Sequence, residues 1–235
     1  MLRLLFILLA LKQQHAPLTI APLTGNFYVY TTWGQAGGEP YPANGLYLLT
    51  PEGVVLIDTP WDTTQFQPLL DTIWQRHHQH VVLCIATHWH SDKTAGLAYY
   101  RSKGIKTYTT RLTDSLSLVN GKPRAEFLFA NDTTFTVGGY AVQTFFPGEG
   151  HTKDNIVVWF GKDRVLYGGC LIKGIEAPDL GYTADGNPGA YAATIRRLQA
   201  KFPNPAYVIP THQRWESTQS VQHTLEMAKK AGLGQ

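Results

Sequence analysis

Cysteine is scarce in this chain: its 235 residues hold two, Cys84 and Cys170. Two cysteines cannot build a disulfide framework, and a chain of this length needs none. Charge is also thin, at 16% of residues against about a quarter in ordinary domains, which argues against a long coiled coil or a charged tail. Twenty basic residues face 17 acidic ones, for a net charge of +3, and no run of five like charges occurs. A basic face for nucleic acid therefore has no support in the composition. No apolar run approaches the roughly 18 residues of a membrane span. Neither a repeat nor a low-complexity tract divides the chain. What is plentiful is apolar and aromatic: 43% hydrophobic residues, with 10 Phe, 6 Trp and 12 Tyr. Such a chain buries a real core, and its length suits one sizeable domain or two small ones.

The N-terminus is compatible with export. Arg3 precedes an apolar stretch from Leu4 to Leu11, within the roughly 7–15 residues of a secretory apolar region and too short to span a bilayer. Residues 1–16 are expected to be a signal peptide and 17–235 a single soluble catalytic domain in the periplasm. The other reading is an apolar helix packed on the domain. No cysteine follows the stretch to carry a lipid.

Short β-type runs dominate the first half. Residues 46–50 and 54–58 flank Pro51-Glu52-Gly53 and read as a hairpin. Gly34 to Pro42 is rich in glycine and proline and reads as a mobile connection. Thr63 or Thr64 can cap a helix to about His77, with Phe66, Leu69, Leu70, Ile73 and Trp74 on one face. A buried strand is expected at 81–86, a helix at 95–103, a strand at 106–109 and a helix at 111–119 ending on Asn120-Gly121. Hairpins follow at 133–145 and 156–167, then a helix at 191–201, a strand at 207–209 and a last helix at 217–231. Two rounds of strands then helices would bury their faces as two sheets packed together with helices outside.

The chemistry concentrates at strand ends. Thr87-His88-Trp89-His90-Ser91-Asp92-Lys93 directly follows the buried strand, so it falls in a loop. There, residues two apart can converge on one point. Imidazole and carboxylate together suit Zn²⁺. Gly150-His151-Thr152, Gly168-Gly169-Cys170 and Pro210-Thr211-His212 also adjoin strands. Six ligands can hold two metals with three each, and three protein ligands leave an open, catalytic position. His15, His77, His78, His80 and His223 read as surface residues.

These residues resemble the metallo-β-lactamase fold superfamily, and within it the class B β-lactamases of the first subclass. The resemblance runs from about Leu18 to the C-terminus through Asn44-Gly45-Leu46, Leu56-Ile57-Asp58-Thr59-Pro60-Trp61, His88-Trp89-His90-Ser91-Asp92, Gly150-His151-Thr152-Lys153-Asp154-Asn155, Gly168-Gly169-Cys170-Leu171-Ile172-Lys173 and Pro210-Thr211-His212. It implies an α/β fold, the αββα sandwich of two mixed sheets packed face to face. It implies two zinc ions, the first on His88, His90 and His151 and the second on Asp92, Cys170 and His212. Lactonase, glyoxalase II and ribonuclease Z relatives carry His after the motif Asp, where this chain has Lys93. They also bridge their metals with Asp where this chain has Cys170.

The activity implied is hydrolysis of the β-lactam amide of penicillins, cephalosporins and carbapenems by a zinc-bound hydroxide, hence antibiotic resistance. Asp92 would orient the nucleophile and Lys173 would pair with the substrate carboxylate. Trp33 and Tyr41, on a flap, would cover the substrate and Trp61 would line the pocket wall. Asp58 and Asn155 would support the site. Lys93 and Tyr182 depart from residues common in the family, Arg and Asn. The alternatives are a hydrolase of the same fold acting on a lactone, thioester or phosphoester, and a zinc-binding module without turnover. The expected partner is a small molecule, with no nucleic acid and no membrane, and the expected state is a monomer.

Overall fold

Residues 18–232 are described by a computed structural model; the segment expected to be a signal peptide lies outside them. The chain opens as an antiparallel meander of β1 (Thr19–Thr24), β2 (Phe27–Ala36), β3 (Glu39–Thr50) and β4 (Gly53–Ile57). Parallel strands then alternate with helices: α1 (Phe66–His77), β5 (Val81–Ile85), α2 (Ser91–Thr94), α3 (Leu97–Ser102), β6 (Lys106–Thr110), α4 (Arg111–Val119) and β7 (Phe127–Phe129). These seven strands form one sheet in chain order. The second sheet holds β8 (Thr134–Val137), β9 (Tyr140–Phe145), β10 (Val157–Phe160), β11 (Val165–Gly169) and β12 (Tyr207–Pro210), in the order β12-β11-β10-β9-β8. α5 (Pro188–Lys201) joins β11 to β12, and α6 (Ser220–Gly232) closes the described chain.

Side-chain alternation sorts the layers. On β4, Val55 and Ile57 face inward and meet Ile85, Val158 and Tyr167 between the sheets. Val54 and Leu56 face outward, against Leu69 and Ile73 of α1. On the far side, Leu166 and Val208 carry Ile195 of α5 and Leu225 of α6. With both faces covered, β4 reads as an unbroken apolar run, as interior parallel strands do. The result is the expected four-layer arrangement, helix–sheet–sheet–helix. Cys84 and Cys170 are both buried and free. Among the described residues no helix is long and apolar enough to cross a membrane.

Some expectations shift. Asp62, rather than Thr63 or Thr64, is the cap before α1: its carboxylate accepts from the Thr64 amide at 2.7 Å in a short 3₁₀ turn. β1 and β7 were not foreseen. Both are edge strands, and edges need only one partner and carry a weak pattern. Gly34 to Pro42 is a paired arm whose register runs out to Ala36 opposite Glu39. The arm projects beyond β4, which pairs only with residues 46–50 of β3. Pro40 and Pro42 therefore interrupt no second ladder, the setting in which strands tolerate proline.

The topology fixes where loops gather. β10 is antiparallel to both β9 and β11, and β12 is parallel to β11. So β9, β11 and β12 point the same way, and their following loops come together at one end. The loop after β5 meets them there: the Ile156 amide donates to the Thr87 carbonyl at 3.0 Å. The Asn44 amide on β3 ties in the loop after β12 through the Thr211 carbonyl.

Candidate metal centre

Two groups of donors meet at this end. His88, His90 and His151 form a triangle of rings, with centroids 4.9, 5.0 and 5.0 Å apart. His90 Nδ1 and His151 Nε2 are 3.2 Å apart. Beside them, Cys170 Sγ lies 3.3 Å from Asp92 Oδ2 and 3.6 Å from His212 Nε2, and these last two are 3.5 Å apart. Tetrahedral zinc with its usual bond lengths places S, N and O ligands roughly 3.3–3.6 Å apart, so this triangle has the dimensions of one face of such a site. His88 sits between the clusters, since its donor falls within 4.8 Å of those of Asp92 and Cys170 as well.

Three observations test the fit to a metal. His88 Nε2 is buried with no hydrogen-bond partner among the described residues, a state that costs about 1–3 kcal/mol unless something accepts the lone pair. Burial holds His88 and His151 well below the usual histidine range and lowers His212 to about 4. All three are neutral at pH 7, the ligating form. Burial, reinforced by Asp92, pushes the Cys170 thiol up to about 12; the protein groups alone keep it protonated, and a thiolate there needs a cation beside it. The donor set fits two divalent ions of the zinc type.

The ring nitrogens facing away are pinned. His90 Nε2 lies 3.0 Å from Asp185 Oδ2, so the acceptor fixes the proton on Nε2 and turns the Nδ1 lone pair inward. His212 does the reverse, with Nδ1 2.7 Å from the Pro42 carbonyl. Such outer partners set tautomer and ring orientation. Tyr182 is an exposed side chain that hydrogen-bonds Asp185 and sets its ring 6.0 Å from that of His90, centroid to centroid, so it meets the histidine cluster from the solvent side. Asp185 was missed in the sequence, where a lone Asp in Thr-Ala-Asp-Gly carries no signal.

Lys93 is fully buried beneath the second cluster. Its ammonium lies 3.2 Å from Asp92 Oδ2 and 3.3 Å from Asp58 Oδ2 and donates to Thr211 Oγ1 at 2.7 Å. Burial alone would lower its pKa; Asp92, Cys170 and Asp58 outweigh that and raise it. Asp92 is likewise penalised by burial, yet Lys93 and then His212 hold it well below the carboxylate range. Asp58 also accepts from the Thr87 amide and hydroxyl, at 2.8 and 3.0 Å, and from the Tyr167 hydroxyl at 2.6 Å. It ties β4, β5 and β11 together below the site. Asn155 bridges the His151 loop, accepting from the Thr152 amide and donating to the Gly148 carbonyl.

Above the donors opens a cavity of about 600 Å³, lined among others by Trp61, Tyr41 and Lys173. Lys173 is 6% exposed, and burial lowers its pKa. Among the described residues no carboxylate pairs with it. Tyr41 and Trp61 flank His212, with ring centroids 4.8 and 6.2 Å away. The Trp61 indole fills the space where a Cβ on Gly34 would stand, 2.3 Å away, so only glycine lets the arm lie over it. Trp33 does not line the cavity: Gln65 clamps its backbone by two hydrogen bonds, at 2.9 and 2.7 Å. His77 and His80 lie elsewhere, the first against the Tyr47 hydroxyl and the second stacked on Trp74.

Comparison with known proteins places this geometry. The family model described as the metallo-beta-lactamase superfamily matches residues 38–212. A metallo-beta-lactamase type 2 of Elizabethkingia meningoseptica is 43% identical over 218 residues, 93% of this chain and 88% of that protein. Metallo-beta-lactamase IND-1 of Chryseobacterium indologenes is 43% identical over 209 residues, 89% of this chain and 87% of its own. The crystal structure of metallo-beta-lactamase IND-7 superposes with a TM-score of 0.87 at 41% identity, covering 92% of this chain and all of the other. A metallo-beta-lactamase from Pontibacter korlensis gives 0.87 at 36% identity, over 91% of this chain and 99% of that one. By sequence along most of its length, and by fold, the chain belongs to the metallo-β-lactamase superfamily.

Proposed function

We propose that this chain is a di-zinc hydrolase that opens the amide bond of β-lactams and thereby confers resistance to them. His88, His90 and His151 would hold one ion, and Asp92, Cys170 and His212 the other. The observation that carries the reading is the pair of three-donor clusters on the floor of a cavity that also holds an unpaired, buried lysine. When bound, such ions polarise a carbonyl and lower the pKa of water to about 7. The chain's own residues do the rest. Asp92, kept ionised by Lys93, accepts a hydrogen bond from the attacking water and aligns it. Lys173 attracts the carboxylate next to the lactam nitrogen and so fixes which bond lies over the donors. Trp61 and Tyr41 cover the bound ring and exclude bulk water. Asp185 and the Pro42 carbonyl hold His90 and His212 in their tautomers. Named relatives bearing the β-lactamase activity support the substrate class.

All six donors come from one chain, so we take the working unit to be a monomer. The apolar stretch behind Arg3 supports export to the periplasm, where such substrates arrive.

Lys173→Ala tests the anchoring role. A charge-assisted contact in a buried setting is worth about 1.5–3 kcal/mol, so KM for penicillins should rise roughly ten- to a hundredfold, with a smaller change in kcat. Steady-state kinetics on benzylpenicillin read this directly. A level kcat/KM for carboxylate-bearing substrates would remove Lys173 from recognition.

A further inference from the structure

The cavity holds a second cation that the chemistry above does not use. Lys122 lines it, half-buried. Its position is built rather than incidental. α4 ends in a paired cap: the Gly121 amide donates to the Leu118 carbonyl at 3.3 Å and the Lys122 amide to the Ser117 carbonyl at 2.8 Å. Gly121 stands at φ +62°. This is the Schellman arrangement, which requires a left-handed residue at the turn and fixes the residue after it. Pro123 follows with its φ locked. Arg124 then forks back onto the Asp114 carboxylate of α4, at 2.7 and 2.6 Å. The backbone on both sides of Lys122 is therefore tied to one helix.

The charges nearby are accounted for, except at the two lysines. Asp114 answers Arg124. Of the cavity's carboxylates, Asp92 is paired with Lys93, Asp185 with His90, and Asp179 accepts from the Gly181 amide. Among the described residues no carboxylate lies within ion-pair distance of Lys122 or of Lys173. A substrate with a single ring carboxylate can answer one of these cations, and the more deeply buried Lys173 gains more from it. The other is left for a second negative group. Trp89 also lines the cavity and offers it an aromatic face.

We infer that Lys122 forms a second anion subsite, which favours β-lactams carrying an additional carboxylate on the acyl side chain, next to an aryl group. The inference rests on the β-lactam reading and adds a specificity determinant to it. Lys122 acts on the side chain, away from the reacting bond, so its effect belongs in KM. The lysine is partly solvated, and salt weakens its field.

Benzylpenicillin and carbenicillin differ by one side-chain carboxylate, and they supply the test. kcat/KM is measured for both with the zinc-loaded chain and its Lys122→Gln, Lys122→Glu and Lys122→Arg variants. The expected result is that the carbenicillin-to-benzylpenicillin ratio falls about three- to tenfold in Lys122→Gln, the range of a partly solvated ion pair. It should fall further in Lys122→Glu, return in Lys122→Arg, and shrink for the unsubstituted chain in about 0.5 M salt. A ratio that stays constant across all the variants would overturn the inference alone. An unsubstituted chain inactive on benzylpenicillin would overturn the β-lactam reading, and the inference with it.

Discussion

Cys170→Ser is expected to weaken the hold on the second zinc ion by about a hundredfold or more while leaving the domain folded. Loss of an outer partner of a metal ligand already reduces affinity or activity roughly 10–100-fold, and Cys170 would be a direct ligand. Its sulfur stands 3.3 Å from Asp92 and 3.6 Å from His212, so both remaining donors would keep their places around a harder, more weakly binding oxygen. Serine is close in volume, and its hydroxyl can donate to Asp92, so packing survives. Zinc titration followed by nitrocefin turnover reads the effect: activity should fall at limiting zinc and recover in part at high zinc. An unchanged zinc dependence would remove Cys170 from the centre.

Lys93→Met is expected to lower the stability of the metal-free protein by about 3–5 kcal/mol, the cost of removing one partner from a buried ion pair. Lys93 is 0% exposed and its ammonium serves two carboxylates, Asp58 and Asp92. Methionine fills the volume but answers neither charge. For a chain of this size the loss corresponds to a melting temperature lower by roughly 6–20 °C. Thermal unfolding of the chelated protein measures it, and a shift within a couple of degrees would show that Asp58 is satisfied by Thr87 and Tyr167 alone. The field of Lys93 also keeps Asp92 ionised, so the variant should bind the second ion less well.

Much of the centre was legible because five of its six donors stand in loops that follow strands, and the sixth, Asp92, in the short helix α2 that continues the loop after β5; strand ends are the places where a sheet delivers side chains to one point. The parallel strand 81–85, apolar throughout, announced the turn that carries His88 and His90 and leads into α2 with Asp92. The interior strands were legible for the same reason. The edge strands β1 and β7 were not, since no residue of β1 and only Phe129 of β7 is buried. The arm through Pro40 and Pro42 read as a loop because the propensity against proline in strands assumes a partner on both sides, and this arm has one. The family resemblance puts Trp33 on a flap over the substrate. The register places it instead where Gln65 holds its backbone, and leaves Tyr41 and Trp61 over the cavity. Lys93 was legible as a departure from Arg but not as a fully buried cation, because its partner Asp58 follows β4, more than thirty residues before it in the chain. Asp185 and Lys122 each act through a single side chain brought in from a distant loop, and no local pattern marks such a residue.

The central claim is metal-dependent β-lactam hydrolysis by one chain. The most direct measurement is turnover of nitrocefin and of a carbapenem by purified protein, before and after a chelator, and again after zinc is added back. The account predicts turnover that the chelator abolishes and zinc restores. A folded, zinc-loaded protein that turns over neither substrate would contradict it, and would leave the fold and the metal centre in place with a different substrate.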